Sequence, residues 1–157
     1  MNGRNEVVRL KRQLDGAFAR APSSSSEIEL QSDFARYLCI LVSGYLENAI
    51  VALVLNYVQR RSGPEVTSFV DAQLNRWTNA NAEKIFSLLG SFDPEWRRRA
   101  EVFLVDERKE SLNSLVALRH KIAHGESVGT SLSQVRNYYS TIDTVVKFLS
   151  DLLDPPI

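Results

Sequence analysis

From Tyr37 to Val58 the chain is almost continuously apolar, yet Glu47 and Asn48 stand at the middle of that run. A charge at mid-span is costly in lipid, so the segment is expected to be a buried helix of a soluble bundle and not a membrane span. The rest of the chain agrees with an all-α class. It holds only seven glycines and five prolines, and no strand-like alternation is bounded by hairpin turns.

Helix breakers mark the joints. A first amphipathic helix is expected around residues 6–21, closed by Pro22 and the serine run Ser23 to Ser26. Ser26 and Glu29 have the spacing of a capping box for a long second helix that reaches about Arg61. Ser62-Gly63-Pro64 stops it, and the proline suits the first turn of a third helix through Trp77. Asn79 to Asn81 reads as a turn, followed by a short helix from Glu83 to Leu89 that Gly90 ends. Asp93-Pro94-Glu95 opens the next helical stretch, which either continues to His124 or breaks near Asp106. Gly125 and Gly129 interrupt it, and Ser131 with Gln134 restarts a last helix to Leu153. A single domain is expected, with an N-terminal amphipathic helix in residues 1–22 and the main helical unit in residues 26–153.

Charge excludes one class of function. Lys plus Arg and Asp plus Glu are both 19, so the net charge is zero and no global field holds nucleic acid. A polyanion must meet a local patch. The lone Cys39 can form neither an internal disulfide nor a cysteine-based zinc site, and reads as core filler. The N-terminal segment is charged throughout and lacks the apolar core of a signal peptide, so a cytoplasmic location is expected.

Leu112 to His124 carries the chemistry. On a helical wheel Leu112, Leu115, Val116, Ile122 and Ala123 share one apolar face, with Arg119 near its middle. A guanidinium there needs a carboxylate, a phosphate or a solvated cleft. His120 and His124, one turn apart, project toward one flank, and Lys121 points away from the apolar face. On the long second helix Ile40, Gly44, Val51, Val54 and Val58 line one side, to which Glu47 also belongs. The expectation is that Glu47 lies near Arg119 and orients it.

Arg119 and His124 stand at the close of an apolar helix, ahead of a helix-stopping glycine and one further long helix. In that setting LVALRHKIAHGE resembles the R-x-x-x-x-H motif of the HEPN superfamily, and the likeness runs from roughly Ser26 to Leu153. The long segment FARYLCILVSGYLENAIVALVL followed later by LRHKIAHG is most similar to the RiboL-PSP type of HEPN domain. The resemblance implies an up-and-down helical bundle with one long early helix, dimerising so that two motifs face each other across a cleft. It implies metal-independent endoribonuclease activity without a cofactor, with Arg119 and His124 as the catalytic pair. His120 stands where many members have asparagine or another polar residue, and Glu47 corresponds by position to an early acidic residue of some members. A role as toxin or defence effector, held in check by an antitoxin or other regulatory protein, rests on the resemblance alone.

The residue types suit that chemistry. RNA brings its own nucleophile, the 2′-hydroxyl, so a base, an acid and a fixed cation beside the phosphate are sufficient in principle. Histidine serves as base or acid near neutrality, and arginine grips phosphate oxygens in bidentate fashion. One chain with His124 alone is short by one such group; a second His124 from a dimer partner, or His120, would supply it. The expected products are a 2′,3′-cyclic phosphate and a 5′-hydroxyl. Weak RNA contacts are expected from Lys121, Arg97 and Arg98, although Glu95 and Glu101 dilute the arginine run. Two alternatives stand beside this reading: a metal site on His120-x-x-x-His124, for which the H-E-x-x-H pattern is absent, and a non-catalytic nucleotide-binding or protein-interaction module.

Overall fold

The computed structural model describes residues 3–156. Met1 and Asn2, at the start of the expected N-terminal segment, and Ile157 lie outside the described residues. Among the described residues the chain is helical throughout, with helices α1 (Gly3–Ala19), α2 (Ile28–Arg61), α3 (Pro64–Leu74), α4 (Ala82–Phe92), α5 (Pro94–Phe103), α6 (Asp106–Ala123) and α7 (Leu132–Leu153).

Four of these form an up-and-down bundle around α2. Tyr45 donates to Asp143 (3.1 Å) and Arg60 to Asp154 (2.8 Å), so α2 and α7 run in the same direction. Against α7, Arg4 meets Asp154 while Phe18 stacks on Tyr139, so α1 runs the opposite way. Phe103, just before α6, stacks on Phe148 while Ser111 bonds Thr141, so α6 runs antiparallel to α7. Helices α3 to α5 are an excursion between α2 and α6, with α4 and α5 folded into a hairpin.

The apolar run behaves as core. α2 is long and apolar enough to cross a membrane, but 56% of its most apolar stretch is buried inside the fold. Leu38, Leu46, Ile50 and Leu53 are fully buried and meet Leu112 and Leu115 of α6 with Ile142 and Leu149 of α7 in one cluster. On α7 the buried positions Leu132, Val135, Tyr138, Ile142, Val145, Val146 and Leu149 recur at helical spacing. Truncating such a fully buried leucine to alanine costs about 2–5 kcal/mol.

Several local expectations are corrected. The Ser26 hydroxyl turns back to Ser23 within the serine run, so no capping box forms, and α2 starts with Glu27 as an N-cap that makes no side-chain bond. α3 ends at Leu74 with Asn75 as its C-cap, short of Trp77. Gly90 lies inside α4, where Arg97 of α5 packs so closely that an added Cβ would sit 3.1 Å from its Cδ. The stretch to His124 does break: Leu104 and Val105 separate α5 from α6, with Asp106 at φ 52°. The Ile40–Glu47 stripe of α2 is its rim and not its core side, since Ile40 is exposed and Gly44, Glu47 and Val51 are only half-buried, whereas Val54 and Val58 are buried. Ala123 is likewise exposed, because α6 runs beyond the bundle core at its C-terminal end.

Candidate functional site

The last turn of α6 closes on glycine. Gly125 adopts φ +74°, its N–H bonds the Ile122 carbonyl (3.1 Å), and the Glu126 N–H reaches back to the Lys121 carbonyl (3.0 Å). These two bonds make a Schellman turn, in which the left-handed residue satisfies helix-end carbonyls that would otherwise lack partners. His124 is the C-cap, with φ −91° and ψ 10°. The turn thus fixes His124 and returns Glu126 toward the helix.

Asn113, Ala117, His120 and His124 follow one another at helical spacing on a single stripe of α6. The two imidazole rings lie 4.3 Å apart between centroids, inclined at 59°, and both side chains are exposed. Val116, Ala117 and His120 of this side line a cleft of about 560 Å³, together with Lys121 and the returning Glu126. That volume is within the range of small-molecule sites. The facing wall is Asn79, Asn81 and Glu83, from the α3–α4 turn and the first turn of α4.

Two asparagines hold that wall in place. Asn81 caps α4 by accepting the Lys84 N–H (3.0 Å), and Asn113 of α6 accepts the Ala82 N–H (2.9 Å). Each satisfies a donor that the helix cannot satisfy itself. Asn79 adopts φ 56°, a conformation asparagine tolerates better than most residues, and its N–H donates to Glu47 Oε1 (2.8 Å).

This last bond corrects the expectation for Glu47. Its carboxylate receives the turn that walls the cleft, and among the described residues it makes no ion pair with Arg119. Arg119 is half-buried and, among the described residues, has no hydrogen-bond or ion-pair partner. It does not line the cleft: at about 100° per residue it points away from His120 by roughly a quarter turn. The remaining answers to its charge are a solvated cleft and a phosphate.

Of the basic residues, Lys121 stands at the cleft. Arg97 reaches Glu101 (3.4 Å) and the cleft residue Glu83 (3.7 Å). Arg98 grips Glu95 with two bonds (2.8 and 2.5 Å), which lowers the Glu95 pKa, and neither arginine lines the cleft. Among the described residues no group of three or more His, Cys, Asp and Glu side chains is placed to hold a metal ion. Asn79, Asn81 and Glu83 had no sequence signal as site residues; only Asn113 had one, as a member of the histidine stripe.

No curated protein and no solved structure matches the chain. The family model described as RiboL-PSP-HEPN matches residues 60–154, which takes in the end of α2 and all of α3 to α7, and leaves α1 and most of the long helix outside. That match covers more than half of the chain and contains the whole Arg119–Glu126 segment, and the chain therefore belongs to the RiboL-PSP-HEPN family.

Proposed function

We propose that this protein is a metal-independent endoribonuclease that works as a homodimer, with Arg119 and His124 as its catalytic pair. The observation that carries the reading is the half-buried Arg119, which lacks an ion-pair partner among the described residues and stands on the helix that holds two adjacent imidazoles. A permanent cation left unpaired in a partly buried place is suited to a phosphate. One imidazole removes the 2′-hydroxyl proton and another protonates the departing 5′-oxygen, while Arg119 stabilises charge on the phosphate oxygens. The products are a 2′,3′-cyclic phosphate and a 5′-hydroxyl.

Dimerisation is part of the proposal for a geometric reason. Five residues at about 100° each set Arg119 and His124 roughly 140° apart around α6, so the two side chains of one chain diverge. A second motif facing the first would bring one chain's arginine to the other's histidine. His120 would assist, and Lys121, which lines the cleft, would contact RNA; Arg97 and Arg98 are already engaged with carboxylates and would contribute less. Such an activity in the cytoplasm calls for restraint, which fits a toxin or defence effector with a regulatory protein partner. The test is cleavage of RNA in excess chelator by the wild type, Arg119→Ala and His124→Ala. Loss in both variants, each folded and dimeric, supports the reading. Unchanged activity in both, or wild-type cleavage abolished by the chelator, rejects it; a chain that binds nucleotide without cutting is the non-catalytic module.

A further inference from the structure

We propose that the cleft beside His120 is a base-recognition subsite that selects guanine next to the cut, an inference that rests on the ribonuclease reading for its biological setting. The polar groups lining the cleft include two amides left as donors and a carboxylate left as an acceptor. Asn81 and Asn113 have committed their Oδ1 atoms to α4, so each presents its Nδ2 amide as a donor. The Glu126 carboxylate has no partner among the described residues and is an acceptor only.

Guanine is the base that complements this set. Its edge carries the O6 and N7 acceptors and, beside them, the N1–H and N2–H donors. Those two parallel N–H groups offer a carboxylate the same fork that arginine does, so Glu126 can accept both. Adenine and cytosine each set a ring-nitrogen acceptor beside their amino group, which would face the carboxylate with a lone pair. Uracil flanks its single N–H with carbonyls. The amides of Asn81 and Asn113 meet O6, and Val116 and Ala117 supply an apolar surface for a flat ring.

Charge separates a base from a phosphate here. Glu83 and Glu126 outnumber Lys121 in the lining, so an anion in the cleft meets net repulsion, whereas a neutral base does not. His120 stands between the cleft and His124. A guanine held in the cleft therefore sends its ribose and phosphate toward the imidazole pair.

The experiment has two arms. In the first, binding of GMP, AMP, CMP and UMP to the wild type is measured by calorimetry. GMP is expected to bind at least about tenfold more tightly than the others, and Glu126→Gln is expected to remove that preference without changing the melting temperature. In the second, short RNAs with a single guanine are digested and the cut sites mapped. Cleavage should fall beside guanine, with kcat/KM for that site reduced about tenfold in Glu126→Gln. Equal binding of all four nucleotides, or a guanine preference that survives Glu126→Gln, overturns the inference even if RNA is cut. Selective, Glu126-dependent GMP binding without RNA cleavage upholds the subsite and rejects the ribonuclease reading instead.

Discussion

His120 and His124 lie one helical turn apart with ring centroids 4.3 Å from each other, while Arg119 sits on a different side of the same helix. On the proposed reading, one chain holds two proton-transfer groups together and directs its phosphate-gripping group elsewhere, so that a dimer would complete the site.

Mixing inactive variants distinguishes the two. If each site takes Arg119 from one chain and His124 from the other, a dimer of Arg119→Ala with His124→Ala holds one intact and one doubly deficient site. Equal mixing and exchange then give about half mixed dimers, each with one working site of two, so about a quarter of wild-type cleavage should return. A site built within one chain returns none. The rate of RNA cleavage after subunit exchange, against each variant alone, decides.

Glu47 acts on the cleft through the Asn79 N–H, so its two substitutions should behave differently. Glu47→Gln keeps an acceptor and should leave stability nearly unchanged. Glu47→Ala strands a backbone donor and should cost about 1–3 kcal/mol. Urea denaturation reads this difference directly. If Glu47 also orients Arg119 during catalysis, Glu47→Gln will slow cleavage at unchanged stability; equal cleavage by Glu47→Gln and wild type would limit Glu47 to holding the turn.

What could be read from the sequence divides along physical lines. α7 was legible because its apolar positions recur every three or four residues against a polar background, and burial follows that pattern. α2 was legible as a helix but not in its orientation. It is apolar on nearly every side, so periodicity could not tell that Ile40 and Glu47 lie on the rim while Leu46 and Ile50 lie in the core. The Gly125 turn could be read from a glycine after the last periodic residue. The Asn79–Asn81 wall could not, because its role depends on α4 folding back against Asn113 across intervening structure. A helical wheel shows that Arg119 needs an answer to its charge, but helix-face arguments do not rank the competing donors for Glu47, which accepts from the Asn79 N–H.

Stability is expected to fall with rising pH above about 9. Burial pushes the Cys39 thiol up from 9.0 to about 11, against a smaller opposing effect of the Thr130 hydroxyl. Below pH 9 folded and unfolded chains both keep this proton and the stability is whole. Between the two values the unfolded chain releases it and the folded chain does not, so this contribution to stability is lost across that interval. Burial, then the Asp143 carboxylate, raises the Tyr45 phenol in the same sense; burial and Asp15 do so for Tyr139. Their loss follows above the ordinary phenol value of 10.0. Denaturation midpoints from about pH 8 to 10.5 should therefore decline, and Cys39→Ala should flatten the early part of the slope. A wild-type stability independent of pH over this range would show that the thiol is not shielded as its burial requires.

Gly125 gives the sharpest check on the turn that fixes His124. Its φ of +74° is a left-handed conformation, and a Cβ added there would meet no atom within 4 Å, so a substitution there costs conformational energy and creates no clash. Gly125→Ala should lose about 1 kcal/mol, or roughly 2–4 °C of melting temperature for a chain of this size. Gly125→Asn should lose less, because asparagine visits the left-handed region more readily. The ordering glycine, asparagine, alanine in thermal denaturation is the signature of the turn. Because the same turn positions His124 and Glu126, Gly125→Ala should also slow cleavage more than its stability loss explains. An alanine variant as stable as the wild type would mean that the chain leaves α6 by a different route in solution.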